Sequence, residues 1–413
     1  MRGSVLNKRK IFNDPVYGFI SIPDELIFDI IEHKYFQRLR RIKQLGLTHL
    51  VYPGALHTRF QHSLGAMHLM MRAINELKFK GLEINDEEAL GVCIAILLHD
   101  IGHGPYSHAL EHSIVEGISH EQISRIFIER LNAIFNGKLD LALSIFNGDY
   151  KKMFLNKLVS GQFDMDRLDY LKRDSFFTGV SEGIVNYERL LNMINVVDDN
   201  LVIDAKGIYS VEKFIAARRL MYWQVYLHKT VLVAEFTIMK VLKRAKFLSL
   251  QGVELFATPA LEFFLRNEIT ISEFENNNMV IDNFTNLDDF DIFTSMKVWT
   301  THSDPILSRL SSNIVNRRLS RIELQNKPFD EELVEDIKSQ TMLKLNLNRD
   351  EIDYFVIVDQ TSNFTYKIGT DKIGILYKDG RVEDIAEASD QLNISLLSKP
   401  TTKYFLCYPK EIN

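Results

Sequence analysis

The sequence has little cysteine, no excess of positive charge and no long apolar run. Its 413 residues include only two cysteines, Cys93 and Cys407, which are too few for a disulfide framework and typical of a reducing compartment. The formal net charge is −6, so an anionic ligand must be held by local cations and no overall positive field would attract nucleic acid or an anionic membrane. No apolar stretch reaches the roughly 18 residues that a membrane span needs. We therefore expect a cytoplasmic protein that binds neither membrane nor nucleic acid.

Hydrophobic residues make up 46% and charged residues 25% of the chain, which is ordinary globular composition. The length allows one large domain with an appendage, or two to three domains. Helical periodicity is found over residues 58–77, 87–99, 119–136 and 208–248. The third of these segments begins with Ser119 and Gln122 in a capping-box pattern. Strands or hairpins are predicted over residues 10–23, 354–360, 373–385 and 403–409, with Asp379-Gly380 as a turn.

The stretch LHDIGHGPYSH, residues 98–108, places His99 and Asp100 directly after an apolar run. An adjacent imidazole and carboxylate can bind one divalent cation, and His62 and Asp166 are candidates for the rest of the shell. Such a site suits one Fe, Mn, Ni, Zn or Mg ion and leaves positions for water and substrate. Taken alone, the His-Asp pair could equally be a helix end with a capping histidine.

Four blocks of sequence, in this order, closely resemble the HD-domain phosphohydrolases, specifically their deoxynucleoside triphosphate triphosphohydrolase branch: HTRFQHSLG, LLHDIGHGPYSH, SHEQ and DMDRLDYLKRD. The blocks FNDPVYGFISIP, FQRLRRIKQLG and, more weakly, ARRLMYWQVYLHK extend the resemblance over roughly residues 10–245. The resemblance implies a mainly α-helical HD-fold core, which we place at residues 1–245, and we expect a mixed α/β region of unknown role at 246–413. It also implies hydrolysis of a dNTP to a deoxynucleoside and triphosphate.

The resemblance further implies roles for individual residues. The metal ligands are His62, His99, Asp100 and Asp166. The catalytic residues beside the α-phosphate are His103, His108 and His120, with Glu111 orienting an imidazole. The phosphates are held by Arg59, Arg167 and Arg218, and the sugar is held by Gln44, Tyr170 and Asp174. Arg167 stands where the vertebrate member of this branch has Lys, and Glu111 stands where it has Asp; both keep the charge but change its reach.

A guanine nucleotide that activates the enzyme is also implied, bound between subunits of a homo-oligomer, either a dimer or a tetramer. The residues in corresponding places are Glu32, Gln37 and Arg40. For Arg40 the alternative is a plain basic helix face shared with Arg41.

Two other functions remain open at this point. Metal ligands do not choose the base or the leaving group, so the chain could be an HD phosphohydrolase that acts on another nucleotide or phosphate ester. It could also be a catalytically idle HD scaffold that binds nucleotide or a protein partner, although every expected ligand type is present. The products separate the three hypotheses: triphosphate, inorganic phosphate, or none.

Overall fold

The computed structural model describes residues 10–106, 113, 115, 117–363, 366, 369, 371–390, 394 and 401–412. The predicted N-terminal hairpin is confirmed, since β1 (Ile11–Asp14) pairs with β2 (Gly18–Ser21) in antiparallel register. Its turn is closed by Asp14, whose Oδ1 accepts hydrogen bonds from the backbone N–H groups of Val16 and Tyr17. Residues 11–21 are called the N-terminal hairpin below.

Helices dominate the first 250 residues. They are α1 (Glu25–Glu32), α2 (Lys34–Gln37), α3 (Arg59–Phe79), α4 (Asp86–Leu98), α5 (His120–Ile134), α6 (Asp140–Asn147), α7 (Met153–Val159), α8 (Met165–Thr178), α9 (Tyr187–Met193), α10 (Ile208–Met221) and α11 (Lys229–Leu250). The helices predicted at 58–77, 87–99 and 119–136 are confirmed. The capping box of α5 is confirmed too, because Ser119 and Gln122 each accept a hydrogen bond from the other's backbone N–H.

Helix α4 is surrounded by protein. Every residue from Gly91 to Leu98 is buried, because α3, α6 and α7 pack around the helix. A helix in this position can be apolar on all sides, which explains the apolar run in the sequence. Since α4 ends at Leu98, it delivers His99 and Asp100 into the interior.

The segment 208–248 forms two helices. A π-helical turn (Tyr222–Tyr226) follows α10, and α11 begins after His228, whose Nδ1 accepts a hydrogen bond from the backbone N–H of Thr230. The turn brings Tyr226 against α8, where its hydroxyl donates to Asp174.

The C-terminal part mixes helices and strands. Its helices are α12 (Pro259–Arg266), α13 (Ile271–Asn276), α14 (Asn278–Asn286), α15 (Asp289–Trp299), α16 (Pro305–Val315), α17 (Glu331–Leu345) and α18 (Ile385–Ala388), and its strands are β5 (Arg321–Gln325), β6 (Ile357–Asn363), β7 (Gly374–Leu376), β8 (Val382–Asp384) and β9 (Thr401–Tyr408). Strand β9 lies between β5 and β6 in an antiparallel sheet. The predicted C-terminal strands and the turn at Asp379-Gly380 are confirmed, and so is the mainly α-helical fold class; β5 was not predicted.

A second sheet joins the two parts of the chain. Strands β3 (Ile194–Val197) and β4 (Asn200–Asp204), which were not predicted, form an antiparallel pair, and β4 then pairs in parallel with β7. Ile203 lies opposite Ile375, and both are buried in a core cluster with residues from both sides of position 245. The domain boundary at residue 245 stays a prediction.

In the described part of the chain, every helix is too short or too polar to traverse a lipid bilayer.

Helices α3 and α8 approach closely at Gly65. A Cβ atom added there would lie 2.0 Å from Asp169 Oδ1 and 2.2 Å from Arg173 Nη2, so no methyl group fits between the helices. The two side chains on α8 are completely buried, which leaves them little room to move away.

We predict that Gly65→Ala lowers the free energy of unfolding by about 1–3 kcal/mol, because overpacking outweighs the better helix propensity of alanine. Urea denaturation of the two proteins measures this difference. The control is Asn75→Ala on the exposed face of the same helix, which should change the free energy by no more than about 0.5 kcal/mol. Equal stability of the two variants would contradict the close approach.

Candidate metal centre

Three helix ends bring the four predicted metal ligands together. His62 lies in the first turn of α3, His99 and Asp100 follow α4, and Asp166 lies in the first turn of α8. The Nε2 atoms of His62 and His99 lie 3.1 and 3.4 Å from Asp166 Oδ1. The same His99 atom lies 3.3 Å from Asp100 Oδ1.

In both imidazoles, the Nδ1 atom is held by a protein acceptor and the Nε2 atom points at the carboxylates. His62 Nδ1 lies 2.7 Å from Asp169 Oδ2, and His99 Nδ1 lies 2.6 Å from the carbonyl oxygen of Ile96. Because both acceptors need a proton from Nδ1, the Nε2 lone pairs are left facing Asp100 and Asp166. Both Nε2 atoms are buried and have no hydrogen-bond partner among the described residues.

This donor set fits a divalent cation. Burial lowers the pKa of His62, but the carboxylates of Asp166 and Asp169 raise it, and the net result is a pKa of about 10. Negative charge at this point therefore attracts either a proton or a metal ion. Neutral imidazole nitrogens held from behind by acceptors are typical metal ligands. His62, His99 and Asp166 offer ligand atoms close enough together to hold one ion, whereas Asp100 groups with His103 and His120. That all four predicted ligands bind the same ion stays a prediction.

Charge pairing singles out Asp166 among the nearby carboxylates. Asp100, Asp164 and Asp169 each form an ion pair with an arginine, namely Arg59, Arg167 and Arg173 respectively. Asp166, in contrast, pairs only with the two imidazoles among the described residues. Its negative charge is the one that a bound cation would neutralise.

A second group of donors lies on the other side of Asp100. His103 Nε2 lies 3.4 Å from Asp100 Oδ1, and the rings of His103 and His120 stack with centroids 3.7 Å apart. Burial, followed by the charge of Arg59, lowers the pKa of His103 to about 3, so this imidazole is neutral. The predicted catalytic residues His108 and Glu111 lie outside the described residues.

The three predicted phosphate-binding arginines lie in different environments. Arg59 Nη1 donates to Asp100 Oδ2 at 2.5 Å and is buried beside the candidate metal ligands. Arg167 donates to Asp164 and to the carbonyl oxygen of Gly161. Arg218 is partly exposed on α10. Their phosphate-binding roles stay predictions.

The predicted sugar-binding residues are linked through two shared neighbours, His57 and Tyr226. Asp174 is 1% exposed, and its two carboxylate oxygens lie 2.7 Å from His57 Nε2 and 2.8 Å from the hydroxyl of Tyr226. Gln44 pairs its backbone N–H with the carbonyl of His57, while its buried Oε1 has no hydrogen-bond partner in the described part of the chain. Tyr170 packs edge-on against Tyr226.

Sequence reasoning missed the two residues that hold Asp174. His57 opens the block HTRFQHSLG, but nothing in the sequence shows that it meets a carboxylate 117 positions away. Tyr226 gives no signal beyond its place in a helical pattern. The carboxylate of Asp169, which orients His62, was missed for the same reason.

The predicted activator-binding residues cluster on the surface. Glu32 ends α1 and is exposed. Gln37 Oε1 accepts a hydrogen bond from Arg40 Nε at 2.8 Å, and the Arg40 guanidinium stacks on Phe60 at 3.5 Å from the ring centroid. The three residues are therefore neighbours, and their role stays a prediction.

Comparison with known proteins identifies the family of this chain. The family model of the HD domain matches residues 59–147, and that of the HD associated region matches residues 185–250. A crystal structure of a phosphohydrolase from Bacteroides thetaiotaomicron is 55% identical with a TM-score of 0.94, covering 98% of this chain and 100% of that one. The chain therefore belongs to the HD-domain phosphohydrolases.

Two further relatives refine the position within the family. An uncharacterized protein of Bacillus subtilis is 34% identical over 98% of this chain and 94% of its own length. A Dictyostelium discoideum protein named as a deoxynucleoside triphosphate triphosphohydrolase homolog is 36% identical over 55% of this chain and 48% of its own length. The resemblance to the deoxynucleoside triphosphate triphosphohydrolase branch is thus confirmed.

We predict that Asp166→Ala abolishes binding of a divalent metal, because it removes the carboxylate that forms no ion pair with an arginine among the described residues. Metal content of the purified protein, measured by inductively coupled plasma mass spectrometry, should fall from about one ion per chain to near zero. The matched control is Asp149→Ala, at an exposed position after α6, which should keep the metal. Full occupancy in Asp166→Ala would overturn the ligand assignment.

Proposed function

We propose that this phosphohydrolase is metal-dependent and converts deoxynucleoside triphosphates to a deoxynucleoside and inorganic triphosphate. The observation that carries the proposal is the pair of buried Nε2 atoms of His62 and His99, which face Asp166 and have no hydrogen-bond partner among the described residues. This cluster lies beside buried Arg59 and shares α8 with Asp174. The proposed contacts to the phosphates through Arg167 and to the sugar through Tyr170 and Asp174 would then come from one helix.

A dNTP brings about four negative charges, and the chain as a whole is acidic. Local cations must therefore bind the phosphates, and arginine suits bidentate contact with phosphate oxygens. Arg59, Arg167 and Arg218 are the proposed phosphate ligands. Arg167 already holds Asp164, so a phosphate would share this arginine with that carboxylate.

The proposed reaction is attack of water on the α-phosphorus. The oxygen of water bonds to phosphorus, the bond from phosphorus to the 5′-oxygen breaks, and the 5′-oxygen takes up a proton. A divalent cation held by the four ligands would polarise the α-phosphoryl group and acidify a water molecule. The proposed proton donor is His108 or His120, with Glu111 orienting the imidazole, while His103, which is neutral, would act in this group as a hydrogen-bonding partner.

Selection for deoxyribose is proposed to arise at Tyr170, which would leave no room for a 2′-hydroxyl. Gln44 and Asp174 would hydrogen-bond the 3′-hydroxyl. This assignment is supported by the buried Oε1 of Gln44, which lacks a partner in the described part of the chain. Asp174 is held in place by His57 and Tyr226 and can still accept another hydrogen bond, because a carboxylate offers about four lone-pair sites.

We predict that metal-loaded protein releases triphosphate and deoxynucleoside from dNTPs and prefers dGTP over GTP, since a 2′-hydroxyl would clash with Tyr170. Chromatography of the products from a panel of dNTPs and NTPs measures both properties. Equal turnover of dGTP and GTP would contradict the sugar assignment. Release of monophosphate and pyrophosphate, or of inorganic phosphate, would favour another HD phosphohydrolase, and no product would favour an idle scaffold.

A guanine nucleotide is the proposed activator, bound between subunits of a dimer or tetramer. The proposal is supported by the surface cluster of Glu32, Gln37 and Arg40, in which an exposed carboxylate can accept hydrogen bonds from a guanine edge beside a cation. An activator of this kind must bind the assembled state more tightly than the free subunit, so binding and assembly promote each other.

We predict that added dGTP increases the rate of dTTP hydrolysis and the sedimentation coefficient of the wild type, and that Arg40→Ala loses both responses. Rate assays and analytical ultracentrifugation measure them. Arg266→Ala, which removes an exposed arginine of α12, is the control and should respond as the wild type does. If dGTP changes neither rate nor assembly of the wild type, the activator proposal is wrong, while the catalytic proposal stands.

A further inference from the structure

A chain of buried polar contacts runs from the N-terminal hairpin to the metal centre. Asp169 Oδ2 lies 2.7 Å from His62 Nδ1 and accepts a hydrogen bond from Arg173 Nε at 2.9 Å. Arg173 Nη2 donates to the other oxygen of Asp169 at 3.0 Å. The remaining arm, Arg173 Nη1, donates to Asp14 Oδ2 at 2.7 Å.

Water cannot replace the side chains that make this series of contacts. The side chains of His62, Asp169 and Arg173 are completely buried, and that of Asp14 is 5% exposed. Removing one charged member would leave its neighbour buried without a partner, which is strongly unfavourable. The four side chains therefore form one network in which each member depends on its neighbours.

Each contact in the series positions the next residue, from the N-terminal hairpin toward His62. Asp169 accepts the Nδ1 proton of His62 and so determines where the Nε2 atom points. Arg173 clamps both oxygens of Asp169, so the position of Arg173 sets the position of the carboxylate. Arg173 is fixed in turn by Asp14, the residue that closes the turn of the N-terminal hairpin through Val16 and Tyr17.

The close packing of α3 against α8 makes the contact between His62 and Asp169 possible. Gly65 lies one helical turn after His62, and the space that its missing Cβ leaves is filled by the ion pair of Asp169 and Arg173. Helix α3 can therefore lie close enough for His62 to reach Asp169. The sequence distance between Asp14 and Arg173 is 159 residues, so the contact joins parts of the chain that only the fold brings together.

We propose that the N-terminal hairpin is a positioning element of the metal centre. Asp14 orients His62 through Arg173 and Asp169, so docking of the hairpin and binding of the cation stabilise each other. The inference rests on the metal centre of the proposed function but not on the identity of the substrate. By thermodynamic reciprocity, the metal must stabilise the hairpin as much as the docked hairpin favours the metal.

A purely structural hairpin is the competing explanation. Ile20 is completely buried, and Phe12 packs edge-on against Phe60 at the start of α3. If these apolar contacts alone dock the hairpin, the link through Asp14 is dispensable for the metal. The two explanations differ in whether metal affinity responds to Asp14.

The test uses Asp14→Asn in the full-length protein, with Mn²⁺ as the probe. Asparagine keeps an oxygen for the N–H groups of Val16 and Tyr17 but loses the charge that holds Arg173. Isothermal titration of metal-free protein should show Mn²⁺ binding weakened by about 10-fold or more, the usual effect of losing a group that supports a metal ligand. Asp24→Asn is the matched control, because Asp24 is exposed and caps α1, a role that asparagine fills equally well.

Hydrogen exchange of the wild type gives an independent reading that does not depend on the variant folding. Mn²⁺ should slow amide exchange in residues 11–21 by several-fold and leave the amides of β5, in the C-terminal sheet, unchanged. Equal Mn²⁺ affinity of Asp14→Asn and Asp24→Asn would overturn the proposal, as would hairpin exchange that ignores Mn²⁺, or a wild type that binds no Mn²⁺. If both effects occur and no dNTP is hydrolysed, the proposed function fails and the positioning role stands.

Discussion

The contact between His62 Nδ1 and Asp169 Oδ2, 2.7 Å long, is the constraint on which the rest of the site depends. It turns the opposite nitrogen of the imidazole toward the carboxylate of Asp166. It also requires α3 and α8 to approach so closely that only glycine fits at position 65. The buried charge of Asp169 then demands a cation, which Arg173 supplies. The close approach of α3 and α8, the orientation of His62 and the charge balance of Asp169 thus all meet at one buried contact.

The charges around the site explain why a metal ion would neutralise Asp166 and not the neighbouring carboxylates. Three carboxylates near the centre are neutralised by arginines in the structure, and the fourth, Asp166, faces two imidazole nitrogens instead. An acidic protein can bind a triphosphate only by concentrating cations locally. Two of these arginines, Arg59 and Arg167, are also proposed phosphate ligands, so metal and substrate would complete the same charge network.

Much of the fold could be predicted from the sequence, and so could the residues that the fold brings together as candidate metal ligands. The capping box at Ser119, the apolar run of α4 and the ordered blocks around His62, His99 and Asp166 are local signals. Strands β3 and β4 could not be found by periodicity because they are only four and five residues long. The turn between them is tight, since Asp198 and Asp199 adopt positive φ angles. The only local sign of it in the sequence is the residue type, because aspartate is common at such turn positions.

Contacts over long sequence distances could not be predicted. Asp169 and Arg173 are four residues apart on one helix, a spacing that suits an ordinary surface ion pair. Their burial, and the partnership of Arg173 with Asp14, exist only after α3, α8 and the hairpin have packed. The same holds for His57 and Asp174. A sequence signals which residues carry chemistry more readily than it signals which residues hold them in place.

The most direct test of the proposed chemistry is hydrolysis of dGTP by metal-loaded protein in water enriched in oxygen-18, with mass spectrometry of the products. Attack of water on the α-phosphorus predicts one heavy oxygen in the triphosphate and none in the deoxyguanosine. Heavy oxygen in deoxyguanosine would mean cleavage at carbon. Heavy oxygen in monophosphate or inorganic phosphate would mean that a different bond is broken, and either result would contradict the account.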